Sequence, residues 1–229
     1  MANLLNSRLL RLALGAALCY LLVFSLVWSG SAFQTDTELF SSLNGLAANS
    51  GIAILSSITT QFGSEVILAL IGLLLYLLSS KENTKILLGV LFAITISDLV
   101  LSLLKGAYFR PRPYQILPGV YKPLGLDEGS SFPSGHATRA FAVAALITVQ
   151  KGKKYALLLL LAVGAAVSRV IIGLHFPSDV LAGALLGIAL AAVSVVFLSR
   201  YVYPRLPPRF FMKGKQDMDL KSAAIQDFD

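Results

Sequence analysis

The sequence predicts an all-α integral membrane protein: a bundle of six transmembrane helices with a short interfacial helix, and both termini on the cytoplasmic side. Three observations predict it. Of the 229 residues, 56% are hydrophobic and only 14% charged, whereas soluble domains carry about a quarter charged residues. Six apolar stretches are long enough, or nearly so, to cross a hydrocarbon core of about 30 Å. The lysines and arginines fall in alternate connections between those stretches, which is how membrane topology is written.

The expected spans are Leu12–Ser29, Thr59–Ser79, Ile86–Leu104, Ser134–Val149, Tyr155–Ile172 and Asp179–Ser199. Leu12–Trp28 is slightly long for the apolar region of a signal peptide, so an uncleaved span is favoured over cleavage near Ser29–Ala32. The single cysteine, Cys19, lies inside this span and excludes an intramolecular disulfide. It reads as a small lipid-facing or packing residue. Between the first two spans, Thr37–Ala48 places Leu39, Phe40, Leu43 and Leu46 at near-helical spacing, the pattern of an amphipathic helix on the surface. The fourth span is short and begins at a Pro-Ser-Gly turn, which sets its outer end below the membrane surface. No internal repeat of the transporter kind is visible. Residues 1–200 read as one domain, and 201–229 as a basic-then-acidic cytoplasmic tail expected to be disordered.

Topology follows from the basic residues. Arg8 and Arg11 precede the first span, Lys81 and Lys85 join the second to the third, and Lys151, Lys153 and Lys154 join the fourth to the fifth. Arg200, Arg205, Arg209, Lys213 and Lys215 follow the last. With six spans all these lie on one side, which is therefore cytoplasmic. The first external loop carries only Asp36 and Glu38. One external loop opposes the rule with Lys105, Arg110, Arg112 and Lys122, and positive charge there points to an anionic ligand. The net charge of +7 forms no continuous basic patch with interleaved aromatics, so nucleic acid is not an expected partner.

Three segments carry chemistry, all at the outer face. The first is Lys105-Gly-Ala-Tyr-Phe-Arg-Pro-Arg112-Pro113, with six residues between the lysine and the Arg-Pro pair. The second is Pro133-Ser134-Gly135-His136. The third is Ser168-Arg169, five residues, His175, three residues and Asp179. Taken singly, each residue has a plainer reading. Lys105 and Arg112 would be snorkelling interfacial cations, Ser178 an N-cap, Asp179 a carboxylate favoured by a helix dipole, and a lone histidine a satisfied interior residue. The combined order and spacing reverse those readings, and the chain's only two histidines both fall in the pattern.

These segments resemble the three signature motifs of the type 2 phosphatidic acid phosphatase family, which shares its phosphate site with the vanadium haloperoxidases. The motifs cover Lys105–Asp179 and match at every catalytic position. The resemblance implies a metal-independent mechanism through a phosphohistidine, with His175 the nucleophile, His136 the general acid, and no cofactor.

The residue types suit that chemistry. Phosphoryl transfer needs charge neutralised on three equatorial oxygens, an in-line nucleophile and a proton for the leaving group. Lys105, Arg112 and Arg169 are the fixed cations, two of them arginines whose planar forks match phosphate oxygens. Gly135 lets backbone approach the anion, and the amides of Gly135 and His136 open a helix N-terminus, a ready anion site. Ser134 caps that helix or hydrogen-bonds the phosphate. Asp179 is placed to accept from His175 Nδ1, which leaves Nε2 as the nucleophile. His136 protonated and His175 neutral predict a bell-shaped pH–rate profile. Outside the motifs, Asp98 sits deep in the third span and must be protonated or paired, with Arg139 the available partner. Arg110 reads as loop rim.

The expected activity is therefore hydrolysis of the terminal phosphate of a lipid phosphate or diphosphate, in a multi-pass cell-membrane protein whose site faces the periplasm or exterior. Polyprenyl (undecaprenyl-type) diphosphate is the favoured substrate. Phosphatidic acid or phosphatidylglycerol phosphate, or phosphotransfer to another lipid, are the alternatives. A non-enzymatic transporter would need charges spread through the bilayer and a repeat.

Overall fold

The computed structural model describes residues 2–78, 83–122 and 129–207, and every regular element among them is helical. In chain order these are α1 (Ala2–Trp28), α2 (Phe33–Gly45), α3 (Ser50–Thr59), α4 (Glu65–Leu78), α5 (Asn83–Ala107), α6 (Pro113–Ile116), α7 (Gly135–Lys151), α8 (Leu157–Ile171) and α9 (Pro177–Phe197). Leucine- and alanine-rich runs propagate the long helices, and punctuation residues stop them. Gly30 and Gly152 adopt φ of 78° and 97° just past α1 and α7, a conformation that costs glycine nothing. Pro113 and Pro177 occupy first-turn positions of α6 and α9, where a missing N–H is harmless. Lys81 and the acidic part of the tail beyond residue 207 lie outside the described residues.

Helix α7 is the hub, packed on α9, α5 and α8, while α1 covers α9 and α4 covers α5. Its contact with α9 is close because Gly183 and Gly187 are spaced four apart on the facing side. A Cβ at Gly183 would stand 2.6 Å from the Ser134 carbonyl oxygen, and one at Gly187 would run into that of Thr138. Small residues of this kind hold helices together where lipid removes the hydrophobic incentive. Gly187→Val is expected to push α9 away from α7 at a cost of about 1–3 kcal/mol, read as a lower thermal midpoint in detergent. Gly15→Val, which meets nothing within 4 Å, is the matched control.

The exterior is apolar. Leu22, Leu78, Leu103 and Leu160 are each more than 60% exposed, a surface suited to acyl chains and not to water. Cys19 is exposed on the same surface. Four segments are long and apolar enough to cross a bilayer: Asn6–Trp28, Thr84–Ala107, Lys153–Ile171 and Pro177–Arg205. A fifth forms if Ser50–Gly63 and Glu65–Leu78, bent by 63°, count as one. At 17 residues, α7 falls short of that length.

Two expectations need correction. The stretch Thr59–Ser79 is not one straight span: it breaks at Ser64, whose hydroxyl accepts from the Ile67 N–H at the start of α4, and a further helix, α3, precedes the break. The bend brings Gly63 against α7, where a Cβ would lie 2.8 Å from that of His136. The interfacial helix also starts earlier than the leucine spacing indicated, at Phe33 and not Thr37, and ends at Gly45. Asp36, Phe40 and Asn44 are its buried residues, and Leu39 and Leu46 are 50% and 45% exposed. In a bilayer the polar side of such a helix turns toward its protein partners and the leucines face lipid.

Candidate active site

The three motifs converge at the ends of four helices. Lys105 lies in the last turn of α5, and its ammonium donates to the Ser130 carbonyl at 2.9 Å. The loop that follows is zipped to residues 130–131: Arg110 N–H donates to Ser130 Oγ at 3.1 Å, and Ser131 N–H to the Arg110 carbonyl at 2.9 Å. Arg112 precedes a proline and is accordingly extended, with φ −82° and ψ 156°. Its side chain is buried and Nη1 donates to the Leu174 carbonyl at 3.0 Å. Ser134 is fully buried as the N-cap of α7, and its own N–H donates to the Asp179 carbonyl at 3.0 Å. This bond ties the starts of α7 and α9 together.

His175 follows a tight turn at the end of α8. The N–H groups of Leu174 and His175 both donate to the Arg169 carbonyl, at 3.0 and 3.2 Å. The turn requires Gly173, which has φ 79° and whose Cβ would collide with the Tyr121 carbonyl. His175 Nε2 lies 3.3 Å from Arg112 Nη1. A guanidinium has only donors, so this contact uses the Nε2 lone pair and places the ring proton on Nδ1. That nitrogen faces Asp179 Oδ2 at 3.5 Å.

Asp179 is fully buried, and its oxygens are divided between partners. Oδ2 accepts from the Phe176 N–H at 2.8 Å, and Oδ1 from Arg110 Nη1 at 2.5 Å. Arg110 is therefore no rim residue, which corrects the sequence expectation. It is 7% exposed, with Nη2 on Asp36 Oδ2 at 2.7 Å and Nη1 also on Ser178 Oγ at 2.8 Å. The guanidinium stacks 4.4 Å from the Phe176 ring. Burial opposes its charge, but the attractions of Asp179 and Asp36 outweigh that and raise its pKa above the ordinary value. Asp36, from α2, also accepts from the Ser178 N–H at 2.9 Å. A continuous buried chain thus runs Asp36–Arg110–Asp179–His175.

Between these elements opens a cavity of about 360 Å³ lined by Asp98, Leu101, Ser102, Lys105, Arg112, Gly135, His136, Arg139 and His175. Five of the eight motif residues singled out from sequence share this wall: Lys105, Arg112, Gly135, His136 and His175. Asp179 stands behind His175. Ser134 is buried in the α7 cap, and Arg169 is buried beside Thr60, with Nη1 3.4 Å from its hydroxyl. Asp98 is paired as expected, accepting from Arg139 Nη1 at 2.6 Å.

Residues 86–203 match the model of the PAP2 superfamily. The chain is 31% identical over 119 residues to the bacitracin transport permease protein BcrC of Bacillus licheniformis, covering 52% of this chain and 59% of that protein. The match therefore spans little more than half of that relative. It is 31% identical over 166 residues to undecaprenyl-diphosphatase BcrC of Bacillus subtilis, covering 70% of this chain and 80% of that one. Among solved structures, a transmembrane PAP2-type phosphatidylglycerolphosphate phosphatase from Bacillus subtilis superposes with a TM-score of 0.68 at 24% identity, covering 84% of this chain and 98% of that one.

Proposed function

The chain belongs to the PAP2 superfamily, and on that premise we propose that it is a membrane lipid phosphatase that removes the terminal phosphate of a polyprenyl diphosphate through a phosphohistidine at the outer face of the membrane. The observation that carries this reading is the single cavity in which Lys105, Arg112, His136 and His175 meet beside the N-terminus of α7.

In the first step the His175 Nε2 lone pair attacks phosphorus, the bond to the bridging oxygen breaks, and that oxygen takes a proton from His136. The Nδ1 proton stays directed at Asp179, which stabilises the developing positive charge on the ring. Lys105, Arg112 and the α7 amides neutralise the three equatorial oxygens, and Arg169 and Ser134 hold the surrounding backbone and charge. In the second step His136 takes a proton from water, the water oxygen attacks phosphorus, and the P–N bond breaks to regenerate His175. No metal ion is assigned a step. His136→Ala is expected to lower kcat by about 100- to 10,000-fold. Because the acid must be protonated to act, this variant should also lose the alkaline limb of the pH–rate profile and keep the acidic one. EDTA should leave wild-type activity intact.

Counting α7 and the bent α3–α4 pair as crossings, Arg8, Arg11, Lys151, Lys153, Lys154, Arg200 and Arg205 fall at the end of the bundle opposite the cavity, and that basic charge supports a cytoplasmic reading of that end. Such a site receives a phosphate headgroup while the lipid chain stays among the helices. The relative named undecaprenyl-diphosphatase supports a carrier-lipid diphosphate as substrate. Phosphate release by the purified protein from polyprenyl diphosphate, phosphatidic acid and phosphatidylglycerol phosphate tests the assignment. The diphosphate should give the highest kcat/KM.

A further inference from the structure

The cavity continues past the two histidines. Asp98 and Ser102 precede Lys105 on one face of α5, and Arg139 lies one turn beyond His136 on α7; all of them line the wall. Lys105 lies seven positions after Asp98 on the helix, about 10 Å at the helical rise. Whatever lies on the leaving-group side of His136 therefore rests against Arg139.

Arg139 is held in a fixed pose. Nη1 donates to Asp98 Oδ1 at 2.6 Å and stands 2.8 Å from Glu65 Oε1, and Nε donates to the Gly63 carbonyl at 3.4 Å. The side chain is 11% exposed. Its remaining nitrogen, Nη2, makes no hydrogen bond to any described residue. It lies 3.7 Å from where a Cβ on Gly135 would stand, beside the open start of α7. Because Arg139 lines the cavity, this nitrogen is the donor it has left for a ligand there.

We propose that Arg139 Nη2 forms a second oxyanion subsite, which takes an oxygen of the proximal phosphate of a lipid diphosphate while the terminal phosphate sits among Lys105, Arg112 and His175. This rests on the phosphatase reading above. Charge sets the register. Asp98 and Glu65 offset the guanidinium, so this end offers directed donors without net positive charge and disfavours a dianion. The terminal phosphate carries the greater charge and is drawn to Lys105 and Arg112. The proximal phosphate carries a single charge and suits Arg139. The bridging oxygen then falls beside His136, where its proton must arrive.

The test compares kcat/KM of the wild type, Arg139→Lys and the double variant Arg139→Gln/Asp98→Asn. The substrates are a polyprenyl diphosphate, the monophosphate of the same chain length, and phosphatidic acid. Lysine keeps the ion pairs but loses the fork, and the double variant removes the guanidinium together with Asp98, leaving only Glu65, whose side chain is 55% exposed and reaches water. The diphosphate-to-monophosphate ratio should fall about tenfold or more in both variants, the loss of one charged hydrogen bond. Phosphatidic acid should follow the monophosphate. Equal loss on diphosphate and monophosphate overturns the subsite. Loss on phosphatidic acid equal to that on the diphosphate overturns its assignment to a phosphate, because an ester oxygen would then be the ligand. A wild-type protein that releases nothing from the diphosphate overturns the substrate reading itself, and is recognised before any variant is compared.

Discussion

His175→Ala is expected to abolish phosphate release from every lipid the protein accepts, a fall of about four orders of magnitude or more in kcat. Removing the imidazole removes the attacking atom of the proposed mechanism: Arg112 offers only donors, and His136, the other imidazole lining the cavity, is assigned to the leaving-group oxygen. The fold should survive. The turn is made by backbone bonds from Leu174 and His175 to the Arg169 carbonyl and by the positive φ of Gly173, none of which needs the side chain. A thermal midpoint close to wild type, with no phosphate released, is the predicted pair of results. Retained turnover would remove His175 from the role.

Arg110→Ala carries the second large effect, on stability and rate together. The guanidinium is the shared partner of two buried carboxylates, Asp179 at 2.5 Å and Asp36 at 2.7 Å. Its loss leaves both uncompensated, at a cost of about 3–5 kcal/mol. It also frees Asp179 Oδ1, so the carboxylate facing His175 Nδ1 loses that anchor and is held through Oδ2 by the Phe176 N–H. Asp36→Asn removes one carboxylate and should be milder. If the chain from α2 to His175 acts as a unit, the double variant Arg110→Ala/Asp36→Asn will be less damaged than the sum of the singles, in thermal midpoint and in kcat. Additive losses would show that the two residues are not coupled. A fall in kcat with KM unchanged would mark Arg110 as a positioning residue for the nucleophile and not a substrate ligand.

Much of the site was legible because the order and spacing of Lys105, Arg112, Gly135, His136 and His175 resemble the family's motifs, and the fold brings those five residues to the wall of one cavity. The pairing of Asp98 with Arg139 was legible too, since a carboxylate deep in a span demands a partner. Asp36 and Arg110 were not recognised. Their bond joins residues 74 apart, and neither local pattern announces burial. Asp36 looks like any acid in a first helical turn, and Arg110 looks like a spare cation beside the motif arginine. An available clue was electrostatic: Asp36 and Glu38 are the only charges in the loop facing an excess of cations. The Gly183–Gly187 spacing was also on view, and it is the reason α7 and α9 approach closely enough to join Ser134 to Asp179. The break at Ser64 was signalled by Gln61, Gly63, Ser64 and Glu65 ahead of the apolar run that starts at Val66, and contact with His136 explains the glycine before the break.

The most direct measurement is a single-turnover reaction with a polyprenyl diphosphate radiolabelled in its terminal phosphate, quenched in alkali, with the labelled peptide identified. The expected result is transient label on the peptide containing His175, as an acid-labile and alkali-stable adduct, and none in His175→Ala. Label on any other residue, or release of labelled phosphate by His175→Ala, would contradict a phosphohistidine at this position.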